Sequence, residues 1–153
     1  MLLCKQNYEP NFSCPFEKRV GVPMLGDGPK WVCDPHRITK LAEERKKKDP
    51  NHPGCVVYSV GSQGNFDFEL GMQKEVGEGV CEYHIFDFGA YGVKVPKALK
   101  RAYYHQWGLE KQKLDASNPP PTGNRMYGLI DTIRLLNHTK LDVIDVFKIG
   151  MSK

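Results

Sequence analysis

The residues of this chain best suited to chemistry are two glycines in a turn and an acid that follows a strand. Gly61 and Gly64, in the segment GSQGN, let the backbone turn sharply and let a ligand approach the main chain closely. Asp87 comes 23 residues after Gly64, near the spacing of about 20 between the glycines of a nucleotide site and its ribose-binding acid. The spacing GxxG is less specific than GxGxxG, and a plain glycine turn with a solvated acid is the alternative.

Two predicted strands hold these groups. Residues 55–60 (CVVYSV) form a short apolar run rich in β-branched residues, which is typical of a strand buried on both faces. Residues 81–87 (CEYHIFD) form a second strand with the acid at its carboxyl end. Because ligands of such sheets bind at the carboxyl ends of the strands, the glycine turn and Asp87 are expected at one edge.

A helix is predicted between the two strands. Asn65 is a suitable N-cap residue, and Gly77 and Gly79 are expected to end the helix. The apolar residues between them recur at helical spacing and are Phe68, Met72 and Val76. Its first turn carries Asp67 and Glu69. Two carboxylates at a helix N-terminus repel a pyrophosphate but tolerate the sulfonium and ammonium groups of S-adenosylmethionine. The charge pattern therefore favours S-adenosylmethionine over NAD. The alternative, an NAD-dependent oxidoreductase, is less favoured.

Five stretches in order along the chain carry a family resemblance: residues 31–34 (WVCD), 57–69 (VYSVGSQGNFDFE), 84–88 (HIFDF), 105–109 (HQWGL) and 144–149 (IDVFKI). They resemble the methyltransferase-like 24 type of methyltransferase domain, which is related to the FkbM-type methyltransferases. The similarity extends from about residue 26 to residue 149. It implies a methyltransferase that uses S-adenosylmethionine and says nothing of the methyl acceptor.

The resemblance also implies a set of cofactor-binding residues: Ser59, Gly61, Ser62, Gly64, Asn65, Asp87, Phe88, Trp107 and Gly108. The residues of the glycine turn would border the methionine part of the cofactor, and Asp87 would bind the ribose. Phe88 and the segment 107–109 would approach the adenine. The alternative for residues 88–92 (FGAYG) is a plain turn with two exposed aromatic rings. The catalytic base is unknown, and His105 and Lys148 are only candidates.

The chain departs from the FkbM-type pattern at its last residues. Gly150 stands where that pattern usually has Asp after K-I, and the strands that follow in a complete methyltransferase sheet are missing. The first hypothesis is therefore a partial, C-terminally truncated methyltransferase domain. The alternative is a non-catalytic nucleotide- or S-adenosylmethionine-binding module, or an incomplete gene product.

The predicted fold is α/β, a partial Rossmann-like three-layer sandwich of about four mainly parallel strands. In sequence order these strands are residues 55–60, 81–87, 102–107 and 141–149, and right-handed crossovers predict the spatial order third, second, first, fourth. Helices are also expected from Pro35 into the basic cluster 45–48, briefly over 96–102, and over 127–137. Residues 1–25 are expected to be irregular, and residues 114–125 to form an insertion loop. In this division, residues 1–50 cover the sheet and residues 51–150 form the partial domain.

Composition limits the other function classes. The net charge is +4, and the basic cluster 45–48 follows acids at helical spacing, so nucleic-acid binding is not favoured. No apolar run has the length of a membrane span, and the cellular location stays open. The spacing of Cys33, Asp34, His36 and His52 matches no common zinc pattern, so no metal site is predicted. Cys55 and Cys81 are expected as small core residues, whereas Cys14 and Cys33 could pair in an oxidising compartment.

Overall fold

The computed structural model describes residues 13–21, 29–111 and 126–150. In these ranges the strands are β1 (Glu17–Val20), β2 (Lys30–Cys33), β3 (Cys55–Val60), β4 (Cys81–Phe86), β5 (Ala102–His105), β6 (Gly108–Leu109), β7 (Met126–Tyr127) and β8 (Val146–Ile149). The α-helices are α1 (Pro35–Lys48), α2 (Asp67–Val76) and α3 (Leu129–Leu135), and Gly92–Lys94 form one turn of 3₁₀-helix.

The main sheet has four parallel strands in the order β5-β4-β3-β8. The predicted order of the four strands is therefore confirmed, as is the α/β class with a partial Rossmann-like sheet. Between β3 and β8, Val57 lies opposite Val146 and Val60 opposite Ile149. Between β4 and β5, Phe86 lies opposite His105. This register brings the carboxyl ends of the strands level with one another.

The chain divides into two compact units, and one of them contains most of the sheet, in residues 56–64, 83–95 and 102–153. Its core is centred on Val56, Tyr58 and Phe86, which are almost completely buried. The hydroxyl of Tyr58 lies 2.7 Å from Nδ1 of His138, so its polar end is satisfied inside the core. Burial raises the pKa of Tyr58, which keeps the hydroxyl protonated. Apolar side chains that pack against this core are Val60, Trp107, Ile133, Leu136, Leu141 and Ile144.

The other unit consists of residues 1–55, 65–82 and 96–101. Its described part contains the antiparallel pair β1-β2 and the helices α1 and α2. The apolar stripe of α2 is buried as predicted, with Phe68, Met72 and Val76 at most 3 % exposed. Gly77 ends the helix at a φ of 105°, which is a backbone conformation that side chains disfavour.

Two disulfide bonds lie in the described part of this second unit. Cys14 is bonded to Cys33, which is the pairing that the sequence left open. Cys55 is bonded to Cys81, and both are fully buried. The expectation that Cys55 and Cys81 are simple core thiols is therefore wrong. Each opens a strand, at Cys55 in β3 and Cys81 in β4, and their Cα atoms are 4.3 Å apart, within reach of a bond.

The fourth strand of the sheet is shorter than predicted. Asp145 donates its backbone N–H to the carbonyl of Val56, and its carboxylate accepts the N–H of the same residue at 2.9 Å. Because a side chain replaces the backbone partner there, regular pairing begins only at Val146. The bond also satisfies the Asp145 carboxylate, which would be costly to bury alone.

Three other predicted elements differ in the structure. The helix expected over 127–137 is α3, which is shorter because Met126–Tyr127 pair with β6 instead. Residues 96–102 form turns that end at Arg101 with a φ of 53°, a value that no helix interior allows. Residues 17–20, expected to be irregular, form β1. The expected insertion loop over 114–125 lies outside the described residues.

Candidate functional site

The ends of the four parallel strands bring the glycine turn and Asp87 together. The N–H of Gly61 donates to the carbonyl of Phe86 at 2.8 Å, and the N–H of Asp87 donates to the carbonyl of His105 at 3.1 Å. On the other side, the N–H of Gly150 donates to the carbonyl of Val60 at 2.7 Å. The ladder therefore continues one residue beyond each strand and fixes the first residue of each loop.

Asp87 connects two loops through its carboxylate. Oδ2 accepts the N–H of Gln63 in the glycine turn at 2.8 Å, and Oδ1 accepts the N–H of Gly89 at 2.9 Å. Asp87 is only 5 % exposed. A carboxylate has about four acceptor positions, so each oxygen keeps one lone pair for a further donor. Asp87 thus holds the turn against the loop after β4 and can still accept hydroxyl groups.

The glycine turn depends on conformations that favour glycine. Gly61 and Gly64 have φ values of 73° and 77°, and Gln63 between them has a φ of 51°. A Cβ at Gly61 would collide with the carbonyl oxygen of Gly150, and one at Gly64 would lie 3.1 Å from Cδ1 of Tyr91. The space that these glycines leave open is therefore used by the protein's own segments. Such close packing was not foreseen from the sequence.

The loop after β4 presents an aromatic ring beside the segment after β5. Phe88 is 58 % exposed, although it is a large apolar side chain. A Cβ added at Gly108 would lie 3.5 Å from Cδ1 of Phe88, so the ring and this glycine are neighbours. Tyr91, in the same loop, has the ammonium group of Lys94 5.4 Å from its ring centroid. The structure thus brings together Phe88 and Gly108, which the sequence assigned to the adenine.

Other predicted site residues serve the protein's own structure. Ser59 is fully buried within β3, and the Ser62 hydroxyl accepts the N–H of Gly64 at 3.4 Å. The side chain of Asn65 accepts the N–H of Asp67 at 2.8 Å, but the N-cap of α2 is Phe66, so the prediction that Asn65 caps this helix is wrong by one residue. Trp107 packs its ring against those of His105 and Tyr127.

His105 is a weak base. Its pKa is lowered from 6.5 to about 4, mainly by burial and in addition by the imidazoles of His84 and His138, which repel a proton. Its Nε2 lies 3.0 Å from Nδ1 of His84. Because a general base works best with a pKa near the operating pH, this imidazole is poorly suited to deprotonate an acceptor. Lys148 donates from its ammonium group to the carbonyl of Gly61 at 3.2 Å and so supports the glycine turn.

A comparison with protein-family models matches residues 2–153 to a methyltransferase domain. The chain belongs to this methyltransferase domain family. The match spans nearly the whole chain and therefore includes both compact units. Neither the search of curated proteins nor the search of solved structures found a match.

Family membership supports a methyltransferase function for the domain. The sequence analysis named Asp87 and the glycine turn from their spacing and Phe88 from the family resemblance, but it did not name Tyr104. The hydroxyl of Tyr104 bonds to the loop after β4, and nothing in the strand pattern AYYH distinguishes it from Tyr103. Across the described ranges of the chain, none of the helices has the length and apolar character needed to cross a bilayer.

Proposed function

We propose that this methyltransferase domain binds S-adenosylmethionine at the carboxyl ends of β3 and β4. The observation that carries the proposal is the carboxylate of Asp87, which bridges the glycine turn and the loop after β4 and keeps one lone pair on each oxygen. The two vicinal hydroxyls of a ribose can each donate one hydrogen bond, one to each of these carboxylate oxygens. When bound, the cofactor supplies an electrophilic methyl group on a sulfonium.

The residues around Asp87 fit the remaining parts of such a cofactor. Phe88 offers an exposed aromatic face beside Gly108, which suits a planar base. The first turn of α2, which belongs to the other compact unit, contains Asp67 and the fully buried Glu69. The proposal therefore rests on Asp87 and Phe88 and not on the charge of that turn. All the proposed cofactor residues lie in 51–150, which we assign as the cofactor-binding part.

These residues bind and orient the cofactor. Methyl transfer by in-line attack depends mainly on the position of the acceptor, and a base is needed only when the acceptor must lose a proton. With a pKa of about 4, His105 remains neutral at pH 7 and adds no positive charge near Phe86, on whose ring it stacks at 5.0 Å. No residue is proposed as the base, and the acceptor class is left open.

The test is calorimetric titration of S-adenosylmethionine into the 153-residue chain and into two variants that lose one negative charge. Asp87→Asn keeps the size of the side chain, whereas Asp142→Asn changes an exposed acid of the same unit. Because a hydrogen bond to a charged group contributes about 1.5–3 kcal/mol, we expect Asp87→Asn to weaken binding by about 10- to 150-fold. Asp142→Asn should bind like the wild type.

Titration with NAD serves as the second arm. A folded chain that binds NAD but not S-adenosylmethionine would contradict the proposal. Equal affinities of Asp87→Asn and Asp142→Asn would place the cofactor elsewhere. Transfer of labelled methyl groups from S-adenosylmethionine to components of a lysate, lost in Asp87→Asn, would show that the chain is catalytic and not only a binding module.

A further inference from the structure

Tyr104 is bonded to the backbone of the loop that carries Phe88. Its hydroxyl donates to the carbonyl of Gly89 at 2.6 Å and accepts the N–H of Tyr91 at 3.3 Å. The carbonyl of Asp87 is a second, longer acceptor at 3.4 Å. One side chain on β5 therefore contacts the loop at its first, third and fifth residues, on both sides of Phe88.

The glycines of this loop are packed closely against Tyr104 and Tyr91, which leaves the loop backbone little space to move. A Cβ at Gly92 would lie 3.0 Å from Cδ1 of Tyr104, and one at Gly89 would overlap the ring of Tyr91. Tyr91 in turn covers Gly64 of the glycine turn. Burial raises the pKa of Tyr104, so the hydroxyl remains a donor across the physiological range. Phe88 itself is exposed and has little packing of its own to hold it.

We propose that Tyr104 is a positioning residue for the cofactor: by fixing the carbonyl of Gly89 and the N–H of Tyr91, it holds Phe88 beside Gly108 as a preformed wall for the adenine. This inference rests on the proposed S-adenosylmethionine site and adds to it a residue that does not touch the ligand. A loop ordered before binding loses less conformational entropy when the ligand binds. Loss of the hydroxyl should therefore weaken binding of any ligand that contains the adenosine group.

The experiment compares Tyr104→Phe with Tyr103→Phe in the full chain. Tyr103 is the adjacent residue of β5, points to the opposite face of the sheet, and is 45 % exposed with its ring stacked on His84 at 5.1 Å. Both variants remove one hydroxyl and keep the ring. S-Adenosylhomocysteine and adenosine are the calorimetric probes, and amide hydrogen exchange of Gly89 and Tyr91 reports on the loop.

A net contribution of one hydrogen bond predicts that Tyr104→Phe weakens both ligands by about three- to tenfold, and by the same factor. The Tyr91 amide should exchange faster in this variant, whereas the Gly89 amide, bonded to Asp87, should change less. Tyr103→Phe should bind within twofold of the wild type. Similar melting temperatures of the two variants would exclude general destabilisation as the cause.

The possible failures are distinguishable. A wild-type chain that binds neither ligand would overturn the cofactor site and the role of Tyr104 in it. A wild-type chain that binds both, with Tyr104→Phe unchanged, would overturn the role of Tyr104 alone. Weaker binding by Tyr104→Phe with unchanged exchange at Tyr91 would also overturn it, because the effect would not pass through the loop.

Discussion

Different kinds of bond stabilise the interior of each of the two compact units of this methyltransferase domain. The unit with α1 and α2 contains both disulfides, and one of them is fully buried. The unit with most of the sheet is fixed at the carboxyl ends of its strands by single side chains, above all Asp87 and Tyr104, that bond to loop backbone. A disulfide stays closed until a reductant opens it, whereas hydrogen-bonding groups can also be shared with a ligand. The difference distinguishes the unit with the disulfides from the unit that carries the proposed cofactor site.

Arg101 shows that the disulfide-containing unit also uses its charges for structure. Its guanidinium donates to the carbonyls of Pro53 and Gly79 and bonds to the carboxylate of Glu82 at 2.6 Å. Arg101 and Glu82 are both partly buried, and the guanidinium has several donors in a fixed geometry. These bonds fix loop ends within the unit.

Removal of the buried disulfide tests the comparison most strongly. The bond between Cys55 and Cys81 closes a segment with a sequence separation of 26. For a loop of this length, loss of the constraint on the unfolded chain lowers the free energy of unfolding by about 3.5 kcal/mol. Urea denaturation of Cys55→Ala/Cys81→Ala measures the loss. The affinity of the folded fraction for S-adenosylmethionine should stay within twofold, because neither cysteine lies in the unit that carries the proposed site.

The matched control is Cys14→Ala/Cys33→Ala. Its separation of 19 gives a similar entropic term, but Cys33 is exposed and Cys14 only half-buried. We expect the buried pair to cost more, since its removal also leaves unfilled space in the core. In mild reductant the exposed bond should open first. A larger loss of stability from Cys14→Ala/Cys33→Ala would contradict the expectation that the buried disulfide stabilises this unit more than the exposed one.

The sequence predicts the elements that follow from local patterns. The apolar run of β3, the stripe of α2 and the spacing to Asp87 are all local or periodic signals, and the parallel sheet in the predicted order follows from them with the handedness rule. These signals predict the structure correctly because each depends on the residues of one helix, strand or turn. The family resemblance added the order of the motifs along the chain.

The features that the sequence misses depend on pairs of distant residues. Asp145 shortens β8 by bonding to Val56, 89 residues away, and Cys55 pairs with Cys81 only because both begin strands of one sheet. Tyr103 and Tyr104 are identical as residue types, and only the loop that Tyr104 meets distinguishes them. Such contacts are set by tertiary structure, which a single sequence does not display.

A smaller loss of stability than that from the buried disulfide is expected from Gly64→Ala, which changes the unit that carries the proposed site. At a φ of 77°, an alanine is strained by about 1–2 kcal/mol, and its Cβ would press on Tyr91 at 3.1 Å. We expect a lower free energy of unfolding and weaker binding of S-adenosylmethionine, because the turn that Asp87 holds is displaced. Urea denaturation and calorimetry measure the two effects.

Gly79→Ala is the control for backbone strain. Gly79 has a φ of 73°, but a Cβ there would meet nothing within 4 Å. The two variants therefore share the cost of the left-handed conformation and differ in the contact with Tyr91. Gly64→Ala should be the more destabilised of the two, and Gly79→Ala should keep the wild-type affinity. Equal losses in both variants would show that Tyr91 yields freely and does not cover the turn.

The effect that is smallest near neutral pH is the pH dependence that His105 gives to the sheet-containing unit. Its pKa in the folded chain is about 4, below the ordinary 6.5, because it is buried beside His84 and His138. Between these values the unfolded chain binds more protons than the folded one, so stability is full above pH 6.5 and falls as the pH drops toward 4. His105→Gln cannot titrate and should show a shallower decline in melting temperature over this range, while carboxylates contribute equally to both proteins. Parallel curves would mean that His105 is protonated as easily in the folded chain as in the unfolded one, and that this end of the core is open to water.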